Sequence, residues 1–309
     1  MVGTVLWVNL GLLSLVLALA VGLMSVLRPQ VASVGRIVST FGLQIGGVLI
    51  VTWLLVERGQ ALSGSLPPPP GTDAAIWAQV SAPAFDSLLL ILLAAVWGTC
   101  AGTATAALVT WSRSSKLELL IGIGSLVWII PTFLIGILAQ DLQSILYGWT
   151  GVNVSGGYAQ FSPGQLLWAG AVLAIRPAAY AYRQGNVLIT DQTKADFVRT
   201  ARAKGVSWGA IVRRHIVRPA AAGLVQTAAS SIRLMFGSLP LVEYFFAFPG
   251  LGFLLLRSLG VASGAQSEPP NPDVAIASAV LLASMLALME AGLRMLTLRL
   301  DPRMADVGA

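Results

Sequence analysis

Long apolar runs separated by short polar segments dominate the chain. A transmembrane helix needs about 20 consecutive, mostly apolar residues, and several runs reach that length. They cover residues 4–27, 37–56, 85–112, 118–140, 163–182, 219–242 and 273–298. The pattern predicts an all-α, polytopic integral membrane protein with about seven transmembrane helices.

The composition supports a bilayer environment. Hydrophobic residues make up 56% of the 309 residues and charged residues only 10%, and the mean hydropathy is +0.80. A soluble globule of this size would have too little polar surface. The net charge is +6, and most of the basic residues lie in short loops beside the apolar runs, so nucleic acid is not an expected partner. The single cysteine, Cys100, has no partner for an intrachain disulfide or a cysteine–metal site, and no metal site is expected.

The distribution of Lys and Arg predicts an orientation in the membrane. Placing the charged segment 183–218 in the cytoplasm leaves only Arg58 and Arg257 in the outer loops, in agreement with the positive-inside rule. The basic residues placed inside by alternation are Arg28, Arg36, Arg113, Lys116, Arg183, Arg294, Arg299 and Arg303. The N-terminus is then outside, the C-terminus is cytoplasmic, and residues 57–84 form a stiff, Pro-rich extracytoplasmic loop. Cleavage of run 4–27 as a signal peptide is disfavoured because no Lys or Arg precedes it.

Charge is concentrated in the segment that begins at Asp191, where local rules predict a helix–turn–helix hairpin. Asp191 or Thr190 caps a first helix that reaches Lys204, and Gly205 suits the left-handed position that ends it. Ser207 caps a second helix. The apolar stripe of that helix is predicted to be Trp208, Ile211, Val212, His215 and Ile216, with Arg213, Arg214 and Arg218 off the stripe.

The hairpin sequence resembles the EAA loop of ABC-importer permeases. Residues 197–205, FVRTARAKG, are similar to the form typical of the dipeptide, oligopeptide and nickel permease family. Further similarities to that family are Pro131-Thr132-Phe133 with Gly136, Glu243 followed by Phe248-Pro249-Gly250-Leu251-Gly252, and the ending Asp301-Pro302-Arg303. The resemblance covers about residues 36–303, which predicts an additional N-terminal transmembrane helix and cytoplasmic turn at 1–35 and a permease domain at 36–309. The family's Pro-Gly-Asp-Pro after its first span is absent.

The resemblance implies a permease subunit of an ATP-driven importer in the inner membrane, with peptides as the leading cargo and nickel or other small solutes as alternatives. The chain would bind no cofactor, consistent with its lack of a GxxxxGK[ST] loop, and ATP and Mg would be bound by partners. The implied partners are a second homologous permease, two ABC ATPase subunits, an extracytoplasmic substrate-binding protein and the lipid bilayer. The expected coupling residues are Phe197, Thr200, Ala201, Ala203, Gly205, Trp208 and Ile211. An amphipathic loop lying on the membrane surface is the structural alternative for this segment.

Ionisable residues inside the predicted spans are candidates for a translocation pathway, because charge is costly in hydrocarbon. Arg233, with the nearby Ser230, lies near the middle of its span and is interpreted either as a pathway residue or as a structural ion-pair residue. Glu290 and Arg294 can pair one turn apart. Arg176 lies closer to a cytoplasmic end, where its side chain is expected to reach toward the membrane interface.

The sequence also bears on two other functional classes, an intramembrane enzyme and a secondary transporter or channel. An intramembrane enzyme would need polar catalytic groups close together, yet the only histidine, His215, lies in the hairpin and neither HExxH nor GxSxG is present. A secondary transporter or channel is the alternative function, because spans interrupted by Gly and Pro can form substrate sites without an ATPase. Pro249, Gly250 and Gly252 are expected to form a tight turn after Glu243 rather than a binding pocket.

Overall fold

The computed structural model describes residues 73–112, 114–151, 162–261 and 271–300, and its regular elements in these ranges are all helical. The α-helices are α1 Asp73–Ser112, α2 Ser115–Gly124, α3 Thr132–Thr150, α4 Pro163–Thr193, α5 Asp196–Ala203, α6 Trp208–Ile211, α7 Arg218–Phe245, α8 Leu251–Ser258 and α9 Pro272–Leu300. A 3-10 helix, Ser125–Ile129, follows α2, and a π-helical segment, Val212–Val217, joins α6 to α7. The all-α prediction is confirmed, whereas the predicted spans 4–27 and 37–56 lie outside the described residues.

Two of these helices are long and apolar enough to cross a membrane. They contain the segments Ile76–Ser112 and Pro272–Thr297, and α2 with α3 adds a third crossing if that bent pair forms one span. The predicted spans at 163–182 and 219–242 fall within α4 and α7. Their passage through the bilayer, and the total of seven spans, stay predictions.

Helix α1 begins earlier than the apolar pattern suggested. The sequence predicted a loop through residue 84, but residues 73–84 are already helical and Pro83 lies inside the helix. This part of α1 is rich in Ala, which has the highest helix propensity, while Asp73 and Gln79 interrupt its hydrophobicity. The predicted end of the loop at residue 84 was therefore wrong. It was placed by hydropathy, whereas the start of this helix follows helix propensity.

The predicted span 118–140 is broken rather than continuous. The two halves, Ser115–Ile129 and Thr132–Thr150, meet at an angle of 107°. Pro131 lies at the break, and Ile130 before it takes an extended conformation with ψ 128°. A proline disfavours the helical conformation in the residue before it and cannot donate a backbone hydrogen bond, so the helix ends and a new one starts.

The chain divides into two compact units, each described separately. Among the described residues, unit 1 contains 73–89, 243–261 and 271–291, and unit 2 contains 90–112, 114–151, 162–242 and 292–300. In unit 2, α1 packs closely on α4 at glycines one turn apart. A Cβ atom on Gly98 would lie 3.1 Å from the Ala174 carbonyl oxygen, and one on Gly102 would lie 2.7 Å from the Ala181 Cβ. Small residues at this spacing allow two helix backbones to approach.

Candidate functional site

The hairpin has the elbow that the sequence predicted. Gly205 has φ +75°, and the Schellman pattern is complete, since Val206 N–H donates to the Ala201 carbonyl at 3.2 Å and Gly205 N–H donates to the Arg202 carbonyl at 3.0 Å. The second helix begins at Trp208, as expected, and Ser207 occupies the N-cap position, but its side chain makes no capping hydrogen bond. The left-handed position explains why glycine is needed here, because a Cβ atom strains that conformation.

The predicted start of the first hairpin helix was wrong. Helix α4 continues through Asp191 to Thr193, and the chain turns at Ala195, which is extended with φ −67° and ψ 146°. Helix α5 then begins at Asp196, whose carboxylate lies in the first turn, where it complements the helix dipole. A cap prediction from Asp191 failed because an established helix can run through a residue that would cap an isolated one.

A buried apolar cluster supports the hairpin, and we call it the hairpin base. It contains Ala106 and Val109 of α1, Tyr182 and Ile189 of α4, and Val198, Ala201, Ile211, Val212 and Ile216 of the hairpin segment. Trp208 adds a hydrogen bond from its indole Nε1 to the Thr110 carbonyl at 3.3 Å, which satisfies one of the last carbonyls of α1. The Arg202 guanidinium carbon lies 4.5 Å from the centre of the same indole. The apolar stripe is confirmed at Ile211, Val212 and Ile216, and Arg213, Arg214 and Arg218 are exposed.

The structure divides the predicted coupling residues into two groups. Ala201 and Ile211 are 7% and 0% exposed, so the hairpin base covers them within this chain. Trp208 packs against the hairpin base and is half-buried. The exposed group, which we call the hairpin tip, consists of Phe197, Thr200, Ala203 and Gly205, together with Val206. The sequence prediction located an apolar stripe but not the partner that covers it, since periodicity alone does not identify that partner.

The charged residues of the predicted spans have distinct environments. Arg233 is exposed and Ser230 is half-buried on α7. The reach of Arg176 toward the membrane interface stays a prediction, while its side chain on α4 is held by two hydrogen bonds. Its Nε donates to the Trp128 carbonyl at 3.1 Å, and its Nη1 donates to Thr132 Oγ1 at 3.1 Å. These bonds attach Arg176 to both sides of the Pro131 break.

Glu290 and Arg294 lie one turn apart on α9. Glu290 is 4% exposed, and Arg294 is half-buried. Their ion pair stays a prediction.

Sequence reasoning missed a buried polar cluster in unit 1, which we call the Glu243 cluster. Ser87 Oγ donates to Glu243 Oε1 at 2.6 Å. The other carboxyl oxygen, Oε2, accepts from Gly252 N at 2.6 Å and Phe253 N at 3.1 Å. Ser87 Oγ also accepts from Leu251 N at 2.7 Å. The carboxyl group therefore accepts from the first backbone N–H groups of α8, which have no acceptor within the helix.

The Glu243 cluster explains the glycine at position 250. The predicted turn is present at Pro249 and Gly250, between α7, which ends at Phe245, and α8, which begins at Leu251. The prediction was wrong for Gly252, which lies inside α8, and for Glu243, which lies inside α7 rather than at its end. Gly250 itself has φ −99°, and a Cβ atom there would overlap the Glu243 carboxyl group. Glycine is required at this position for close approach rather than for backbone freedom. The acidic residue before a Gly-rich turn was a signal in the sequence, but nothing marked Ser87.

The helical architecture and the apolar spans define an all-α, polytopic membrane protein. A family model described as "Binding-protein-dependent transport system inner membrane component" matches residues 98–306, and the chain belongs to this family. It is thus a multi-pass inner-membrane transport subunit rather than an enzyme, and the family suggested by residues 197–205 is confirmed.

Curated relatives carry transport names. The chain is 31% identical over 136 residues to a putative peptide transport system permease protein of Brucella abortus (strain 2308), a match that covers 42% of each chain. It is 27% identical over 176 residues to the glutathione transport system permease protein of Escherichia coli (strain K12), covering 56% of this chain and 55% of that protein. The chain spans about half the length of the curated relatives it matches.

Proposed function

We propose that this chain is the permease subunit of an ATP-driven ABC importer and forms half of its translocation pathway. Peptides are the proposed cargo, because relatives are named for peptide and glutathione transport. The proposed assembly contains a second homologous permease, two ABC ATPase subunits that bind ATP and Mg, and an extracytoplasmic substrate-binding protein. The domain division at residues 35 and 36 and the outside N-terminus belong to the same proposal.

The observation that carries the proposal is the contrast between the hairpin tip and the hairpin base. The tip exposes 42% of Phe197 and 37% of Val206 beside small residues. At Gly205 a Cβ atom would meet none of the described atoms within 4 Å. Exposed apolar side chains beside small residues suit insertion into a groove of a protein partner. A loop lying on lipid would instead direct its apolar stripe toward the membrane, but Ile211 and Ile216 of that stripe are in the hairpin base.

The hairpin base supplies a mechanical connection for coupling. Its side chains come from α1, α4 and the hairpin segment, and a close-packed interior transmits displacement. Closure of the ATPases on ATP would move the hairpin tip as a rigid body, and the movement would pass through the hairpin base to α1 and α4. The pathway opened by this movement is proposed to include Ser230 and Arg233 of α7.

Substitutions at Gly205 test the coupling proposal in the assembled transporter. Gly205→Trp adds bulk to the hairpin tip, Gly205→Ala adds only the cost of a Cβ atom at positive φ, and Gly148→Trp adds equal bulk at an open helical position of α3. Substrate-stimulated ATP hydrolysis and co-purification of the ATPases are measured for each. We expect Gly205→Trp to abolish stimulation, whereas Gly205→Ala and Gly148→Trp retain most of it.

The outcome distinguishes this function from a secondary transporter or channel. Normal stimulation and normal ATPase binding by Gly205→Trp would contradict coupling through the hairpin tip. Uptake of solute in vesicles that contain the chain but no ATPase would contradict the importer proposal as a whole.

A further inference from the structure

An open cleft in unit 2 contains two arginines from different helices. Its volume is about 430 Å³, and its lining includes Thr132, Phe133, Arg176, Arg233, Gly237 and Ser238. Arg176 comes from α4 and Arg233 from α7. Among the described residues that line the cleft, none is acidic. The cleft thus combines two arginine side chains with apolar neighbours such as Phe133.

The broken span holds Arg176 in place. The Trp128 carbonyl lies at the end of the 3-10 helix, where the helix cannot supply a partner, and Arg176 Nε donates to it at 3.1 Å. Thr132, on the other side of the break, accepts from Nη1 at 3.1 Å. A guanidinium carries five N–H donors in a planar fork, and these bonds use two of them. The group is therefore oriented before any ligand arrives.

The chemistry of the cleft fits a carboxylate. Guanidinium groups bind carboxylates through charge-assisted hydrogen bonds, often two at once. Arginine within predicted membrane-spanning helices is costly, which marks it as a candidate for a solute pathway. Thr132 and Ser238 line the same cleft, so polar residues lie near the two arginines.

We propose that this cleft is a carboxylate-binding site for the transported solute, in which Arg176 and Arg233 together bind the C-terminal carboxylate of a peptide. The proposal rests on the proposed function for its cargo class and adds Arg176, together with the Pro131 break that orients it. The bend of the span is thereby part of the site, since a straight helix would give the Trp128 carbonyl a partner of its own.

Binding to the full chain in phosphatidylcholine nanodiscs tests this site without an ATPase. The probes are the dipeptide Ala-Ala and its C-terminal amide, which differ only in the carboxylate, and binding is measured by saturation-transfer NMR. The variants are Arg176→Gln, Arg176→Lys and Arg233→Gln. Arg183→Gln is the matched control, because Arg183 is an exposed arginine on the same helix, α4. Circular dichroism and size-exclusion profiles confirm that each variant is folded.

We expect Ala-Ala to bind the wild-type chain more tightly than the amide does. Removing one charge-assisted contact is expected to weaken Ala-Ala binding roughly tenfold in Arg176→Gln and in Arg233→Gln, with no change in Arg183→Gln. Arg176→Lys should also weaken binding, because an ammonium cannot reproduce the planar fork. Equal binding of the two probes, or unchanged binding in Arg233→Gln, would overturn the proposal. A further result would also overturn it: a lipid ³¹P signal that changes in both arginine variants while Ala-Ala binding stays the same. The cleft would then hold a lipid phosphate.

The same variants separate this inference from the proposed function. If Ala-Ala binds the cleft but the assembled transporter shows no ATP-driven peptide uptake, the carboxylate site stands and the importer proposal fails. If ATP-driven uptake is normal in Arg233→Gln and neither probe binds the wild-type cleft, the importer proposal stands and the carboxylate site fails.

Discussion

Removal of the Glu243 carboxyl group should release the start of α8. The carboxyl group accepts hydrogen bonds from Ser87 Oγ, Gly252 N and Phe253 N, and its side chain is fully buried at 0% exposure. Glu243→Ala leaves these three donors without their acceptor. Each buried donor left unsatisfied costs about 1–3 kcal/mol, so three losses at the low end total about 3 kcal/mol.

Part of that loss of stability is offset, because the substitution also removes a buried ionisable group and its desolvation penalty. We expect a net loss of about 2 kcal/mol in local stability, which corresponds to roughly 30-fold in the opening equilibrium. Glu243→Gln should cost about 1 kcal/mol or less, because its amide oxygen can still accept from Gly252 and Phe253. Its amide N–H₂ can donate to Ser87 Oγ.

The assay is hydrogen–deuterium exchange of peptides covering residues 246–258, with the chain in nanodiscs. The amides of Leu251, Gly252 and Phe253 should exchange roughly 30-fold faster in Glu243→Ala and only severalfold faster in Glu243→Gln. Ser87→Ala should accelerate the same peptides, because Leu251 N–H loses its acceptor. Ser278→Ala is the matched control, since the buried Ser278 hydroxyl has no hydrogen-bond partner among the described residues. Exchange in Glu243→Ala within about threefold of the wild type would refute this account of the cluster.

Two further predictions follow from packing. Gly250→Ala should destabilise the turn because its Cβ atom overlaps the Glu243 carboxyl group, and the penalty should shrink in the Glu243→Ala background; additive exchange effects in this double-mutant cycle would contradict the overlap. Ile211→Ala should lower the free energy of unfolding by about 2–5 kcal/mol. Phe197→Ala, at a side chain 42% exposed, should change it by less than about 0.5 kcal/mol. Phe197→Ala should nevertheless reduce substrate-stimulated ATP hydrolysis. Denaturant unfolding and ATPase assays of both variants check this division, and equal stability losses would show that the hairpin base and tip are not distinct.

The sequence by itself determined features that depend on neighbouring residues. Apolar runs predicted helices at α4, α7 and α9, and the resemblance of residues 197–205 identified the family that the comparison confirmed. The elbow at Gly205 was also predictable, because a left-handed residue that ends a helix is a local backbone requirement. These properties are local because the backbone conformation and the hydrophobicity of a run depend mainly on residues within a few positions.

Only the tertiary structure decided which side chains meet. Ser87 and Glu243 are 156 positions apart, and Arg176 reaches a carbonyl 48 positions away, so no periodicity connects either pair. For Ile211 the amphipathic stripe predicted that a surface covers it, but not whether that surface is another helix of this chain or a partner. The physical reason is that a buried polar group bonds to, and a buried apolar group packs against, whichever partner lies next to it in the folded chain. The identity of that partner depends on how distant helices assemble.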